Sequence, residues 1–176
     1  QTTRFHPFDP EKSKVKFKNF EIEAVRLNHS IPESMAFAIK TPAGLFVHAA
    51  DYKFDKEPVL DKPADLDRLK ALGEQGVLCL ASDCLGITHK GETPTEKSLS
   101  HTFFDLFEKA KGRQLFVTTL SANLSRMYQI INAGVKYGRK IVPSGRSVES
   151  MARIAKNIGY LPFGDDVFIK EEEAQR

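Results

Sequence analysis

The sequence predicts an α/β fold whose first part is antiparallel sheet and whose remainder alternates helices with parallel strands. Three observations carry that expectation. Apolar residues alternate with polar ones near the start, at Val15, Phe17, Phe20, Ile22 and Ala24, the period of a half-buried strand. Thr41-Pro42-Ala43-Gly44 interrupts two further strand-like runs with the residues of a tight hairpin turn. Past Pro63 the apolar spacing switches to the three-and-four pattern of helices, with short β-rich runs between them.

In chain order, residues 1–13 read as a loop containing Pro7 and Pro10. Two strands follow, with Lys18-Asn19 turning between them. Residues 35–40 and 45–49 are the next pair. Residues 56–63 are a polar, proline-flanked link. Strands are then expected at 77–81, 115–119 and 140–142, each set between helices, which implies crossover connections in a parallel sheet. Cap chemistry marks the helix after the first of these. Thr93 reads as its cap, Pro94 lies in its first turn and Glu96 closes a capping box. Its apolar face would be Leu99, Phe103, Leu106, Phe107 and Ala110, with Gly112 ending it. The next helix would bury Leu124, Met127, Tyr128, Ile131 and Val135. The last would bury Val148, Met151, Ala152, Ala155 and Ile158. Residues 171–176 form a polar tail expected to fray. There is no internal repeat.

Composition is that of an ordinary globular chain, 41% hydrophobic and 28% charged over 176 residues. A net charge of +3 accommodates a nucleic-acid partner without requiring one. Lys12, Lys14, Lys16 and Lys18 repeat at period two and read as the solvated face of a strand. Cys79 sits in an apolar run and is expected to be buried; with Cys84 it forms no disulfide or zinc pattern. No apolar run reaches the length of a membrane span and no secretory signal is visible. A reducing, cytoplasmic setting is the default. The first residue, Gln1 in place of methionine, points to a trimmed product.

Candidate chemistry falls at two places. In a parallel sheet, ligands gather beyond the carboxyl ends of the strands. Here those ends carry Asp83, then Asn123 beyond Thr118-Thr119, then Ser144-Gly145-Arg146-Ser147. Singly, these loops read as helix caps; together on one edge, Asn123, Ser144 and Arg146 read as contacts for phosphate. The second place is the β-rich start, where His29 follows one strand and Asp51 ends the hairpin. A loop histidine and a strand-end aspartate are metal-ligand types. His48 is on a strand and out of phase with Asp51, so it is read as a local hydrogen-bonding group.

These segments also carry a resemblance. His29-Ser30-Ile31-Pro32-Glu33-Ser34 resembles the third metal motif of ribonuclease J-like nucleases, members of the metallo-β-lactamase superfamily with a beta-CASP insertion. His48 to Asp55 resembles the fourth motif, Asp83 stands where the beta-CASP domain has its first motif, and Gly91 to Glu96, Thr118 to Gln129, Val135 to Lys140 and Ser144 to Ser147 continue the likeness in order. It covers nearly the whole chain and is specific as an ensemble. There are departures: Ala50 stands where the family has glycine before the aspartate, Cys84-Leu85 replaces Ser-Thr, and Ser125 stands where many relatives have histidine.

The resemblance implies part of a metallo-β-lactamase αββα sandwich over residues 1–60, an incomplete beta-CASP domain over 61–170, and a tail over 171–176. It implies two zinc ions in the complete enzyme, with His29 as a ligand of one, Asp51 bridging both as a catalytic carboxylate, and Asp83 a catalytic carboxylate beside them. It further implies RNA as substrate, cut from the 5′ end or internally, and a homo-oligomer with no membrane. The family's His-x-His-x-Asp-His motif does not occur in these residues, so the chain by itself is expected to be inactive. Two other readings stay open: a hydrolase of this fold acting on a non-RNA substrate, and a non-catalytic RNA-binding piece.

Overall fold

The computed structural model describes residues 3–174. It is a mixed α/β structure, and its contacts divide it into two compact units. One comprises Gln1–Lys56 with Asp61–Thr93; the other comprises Glu57–Leu60 with Pro94–Arg176.

The first unit is built on a five-stranded sheet: β1 (Lys14–Lys16), β2 (Glu21–Arg26), β3 (Met35–Thr41), β4 (Gly44–His48) and β5 (Val77–Ala81), in that spatial order. The first four pair antiparallel. The hairpin between β3 and β4 is tied by the Thr41 hydroxyl, which accepts the Ala43 and Gly44 N–H groups. β5 returns parallel to β4 after α1 (Leu66–Glu74), whose first turn is capped by the Asp65 carboxylate. Period two puts Val25, Leu27, Ala36, Ala38, Val47 and Ala49 in one core with Leu72 of α1. The lysine reading holds in part: Lys14 and Lys16 lie on β1 and pair with Glu23 and Glu21 of the next strand, while Lys12 and Lys18 lie outside the strand.

The second unit is mainly helical. A 3₁₀ turn (Glu96–Ser98) leads into α2 (Leu99–Lys109), followed by α3 (Leu124–Lys136), α4 (Arg146–Asn157) and the single turn α5 (Glu171–Ala174). Leu124, Met127 and Ile131 of α3 pack with Ala152 and Ala155 of α4 and with Leu161. Arg139 donates to the Ala110 and Arg113 carbonyls just past α2, where free acceptors and the helix dipole favour a cation.

Several expectations change. The strand at 77–81 forms, but as the outer strand of the first sheet. Residues 115–119 form no strand, and of residues 140–142 only Ile141 makes a bridge, parallel to Phe168. The β-rich run at 115–119 has no strand beside it: Phe116 is 83% exposed, and β propensity without pairing does not make a strand. The packing division does not coincide with the 56–63 link, because Asp61–Thr93 packs with the first unit. The cap before α2 is Thr95, which accepts the Ser98 N–H, and not Thr93. Leu106, Val135 and Ile158 are exposed, since each helix buries a narrower stripe than its apolar count suggests. Cys79 is exposed, not buried, on the outer strand of the sheet. Residues 171–174 make a helical turn where a frayed tail was expected; residues 175–176 lie outside the described residues.

Candidate active site

The first unit gathers three acid or imidazole groups of interest through its backbone. β4 and β5 run side by side and parallel, so their carboxyl ends open together. Just past those ends the Ala49 N–H donates to the Ala81 carbonyl at 2.8 Å, and the Asp83 N–H donates to the Ala50 carbonyl at 3.1 Å. Asp51 and Asp83 thus leave the sheet on adjoining strands. Across from them, Asn28 and Lys53 form an isolated antiparallel bridge, with the Lys53 N–H donating to the Asn28 carbonyl at 2.7 Å. His29 follows Asn28 directly, and Lys53 lies two residues past Asp51.

The side chains at this edge are partly free. His29 and Asp51 are exposed, while Asp83 is half-buried. The His29 Nδ1 lies 3.2 Å from the Ser30 hydroxyl. One Asp83 oxygen accepts the Leu85 N–H at 2.8 Å, shaping the turn after β5. The Ser82 hydroxyl donates to the Tyr52 hydroxyl at 3.1 Å. Two residues here are strained: Ala50 has φ +45° and Glu33, in the loop after His29, has φ +61°. They are the non-glycine positive-φ positions among the described residues, and such strain concentrates where a loop must present particular groups.

As a metal centre the edge is incomplete. An imidazole nitrogen and a carboxylate oxygen are suitable donors, but no cluster of three or more His, Cys, Asp or Glu able to hold an ion occurs among the described residues. His29 and Asp51 are donor types that suit a metal ion, and no third such donor completes a cluster with them among the described residues.

The three residues read as phosphate contacts lie in the second unit. Asn123 is buried and its side-chain oxygen accepts the Arg126 N–H at 3.0 Å, capping α3. Ser144 and Arg146 are exposed at the start of α4. There the cap position is Gly145, with φ +97° and no side-chain cap bond, so Ser144 is no helix cap. The sheet edge on which Asp83, Asn123 and Ser144 were to meet does not form, since only β5 among the three expected strands belongs to a sheet. The arrangement also shows residues that sequence reading passed over. Asn28, Asp61 and Lys62 organise the loop of His29, and no periodicity marks a buried amide in a loop.

Comparison with known proteins is decided over most of the chain. It is 40% identical over 162 residues to ribonuclease J of Helicobacter pylori (strain ATCC 700392 / 26695), covering 92% of this chain and 23% of that protein. Over that span this chain is similar to ribonuclease J. Ribonuclease J2 of Bacillus subtilis (strain 168) is 31% identical over 94% of this chain and 30% of its own length. Ribonuclease J of Thermus thermophilus is 36% identical over 87% of the chain and 26% of its own length. Residues 111–176 match the family model for the ribonuclease J beta-CASP domain. The chain thus spans about a quarter of the length of these relatives, 23–30%. A crystal structure of a protein of unknown function from Enterococcus faecalis V583 superposes with a TM-score of 0.67 over 98% of this chain and 42% of that one, at 16% identity; that match speaks to the fold alone.

Proposed function

We propose that this chain is part of the catalytic body of a zinc-dependent ribonuclease that hydrolyses RNA phosphodiesters from the 5′ end, internally, or both. The observation that carries the reading is that the residue before His29 is bridged to Lys53, two residues past Asp51, and that the Asp83 N–H is bonded to Ala50, the residue before Asp51. Similarity to ribonuclease J over about nine-tenths of the chain supports it.

In this reading residues 1–60 belong to the metallo-β-lactamase part and 61–170 to the beta-CASP part. His29 would hold one zinc, Asp51 would lie between two, and the remaining ligands would come from segments corresponding to the rest of the relatives' length. Paired zinc ions supply, when bound, a water activated for attack on phosphorus. The chain's own residues set the stage for that. Asp83 would lie beside Asp51, a place supported by its N–H bond to Ala50, where an acid would repel phosphate and is of use only next to cations. Ser144, Arg146 and the Asn123 amide would contact RNA phosphates. The whole protein would act in the cytoplasm as a homo-oligomer; no described helix is long and apolar enough to cross a membrane.

The experiment is cleavage by a protein of the relatives' length, with zinc, of one RNA labelled at either end. Asp51→Ala is expected to lower turnover by at least about a thousandfold with RNA affinity kept. Mononucleotide release from the 5′ label marks exonuclease action, and discrete fragments mark internal cleavage. Near-normal cleavage by Asp51→Ala would show that Asp51 is not at the reacting centre.

A further inference from the structure

We infer that Asn28 is a positioning residue that couples the His29 loop to the strand end bearing Asp51, so that the two groups are ordered as one unit. The inference rests on the reading of His29 and Asp51 as metal ligands, but its structural basis is independent of that reading.

Asn28 sits directly before His29 and is only 3% exposed. Its backbone carbonyl and both polar groups of its side chain bond to segments distant in sequence. Its backbone carbonyl accepts the Lys53 N–H at 2.7 Å. Its side-chain amide donates through Nδ2 to the Lys62 carbonyl at 2.7 Å. Its Oδ1 accepts the Ala64 N–H at 3.0 Å. One buried residue therefore joins the end of β2, the segment just past Asp51 and the stretch leading into α1. A buried amide so placed is costly to leave half-satisfied, so all three contacts tend to be kept or lost together.

The neighbouring Asp61 completes the frame. Its carboxylate accepts the Arg26 guanidinium at 2.9 Å, the Lys62 N–H at 2.7 Å and the Glu33 N–H at 2.8 Å. Glu33 is the left-handed residue that closes the loop after His29. The base of that loop is pinned by the Leu27 N–H to the Ser34 carbonyl at 2.9 Å. Asp61 thus holds the far side of the His29 loop, and Asn28 holds the near side and alone reaches across to the Asp51 segment. Exposed, lightly bonded ligands on a fixed backbone are what a metal site needs before the ion arrives, because ordering them afterwards would cost affinity.

The test uses this chain, labelled with nitrogen-15, as wild type, Asn28→Ala and Asn28→Asp. The first measurement is amide hydrogen exchange. Asn28→Ala is expected to speed exchange at Lys53 and Ala64 roughly tenfold while Ala38 in β3 stays as in wild type. Asn28→Asp retains an acceptor for Ala64 but no donor for Lys62, and should fall between; it also serves if the alanine variant fails to fold. Unchanged exchange at Lys53 in the folded variants overturns the proposal. The second measurement is paramagnetic broadening by manganese(II) chloride, which reports even weak occupancy. Wild type is expected to broaden at His29 and Asp51 over one concentration range. In the folded variants His29 should need severalfold more manganese than Asp51. Joint broadening retained in those variants also overturns the proposal. If wild type broadens at neither residue, the metal-ligand reading falls, while the exchange result still decides the role of Asn28.

Discussion

At residue scale, Ala50 concentrates the tension of the candidate site. A side chain at φ +45° costs about 1 kcal/mol or more, yet the Ala50 carbonyl is the acceptor that ties Asp83 to the Asp51 segment. Glycine accepts that conformation freely but gives the unfolded chain more freedom, an opposing effect of about 0.4–1 kcal/mol. Ala50→Gly is therefore expected to raise stability by a net ~0.5 kcal/mol, read as a small upward shift in thermal midpoint. A lower midpoint would show that the Ala50 methyl makes a contact worth more than the strain. The sequence made this position visible only through family likeness, as an alanine where relatives have glycine; nothing in local composition announces a positive φ. His29 and Asp51 were legible in the same way, as motif positions. Asn28 was not, because its role lies in the segments it joins, and those are far apart in sequence.

Between elements, the ion pair of Arg68 on α1 with Glu23 on β2 ties helix to sheet. The guanidinium donates through Nε at 2.5 Å and through Nη2 at 2.7 Å to the two carboxylate oxygens. The Arg68 hydrogen bonds hold the Glu23 carboxyl below its ordinary value of 4.5, with Lys14 adding to the effect and burial opposing it. A carboxyl depressed by folding contributes stability that is present above its unfolded pKa and is lost as pH falls through the folded one. Arg68→Gln should thus cost about 1–2 kcal/mol at neutral pH. The gap to wild type should close as pH falls below 4.5 and Glu23 is protonated in both proteins. A gap that is constant from neutral to acid would mean that Arg68 acts by packing alone. The antiparallel sheet was readable in advance because period two needs only local sequence, and β1 through β4 form close to where alternation places them. The second set of strands was not, because a strand needs a partner. Val77–Ala81 finds β4, whereas residues 115–119 find none.

Taken whole, the chain carries two separate cores, one between the sheet and α1 and one between α3 and α4. Leu161 is 1% exposed in the second. Leu161→Ala should cost about 2–5 kcal/mol and weaken amide protection in α3 and α4 well before β2 and β3. Simultaneous loss in both units would show that they unfold as one. The outer edge of β5 has a different consequence, for the life of the protein in the tube. Leu78 and Leu80 are 68% and 62% exposed, and β5 has no neighbour on its far side among the described residues. That is an open template for another molecule's strand. The exposed thiol of Cys79 sits in the middle of it. Concentrated samples left in air should accumulate linked pairs over days. Reductant should dissolve the covalent fraction, whereas only a charge placed on the strand, such as Leu80→Lys, should slow the rest.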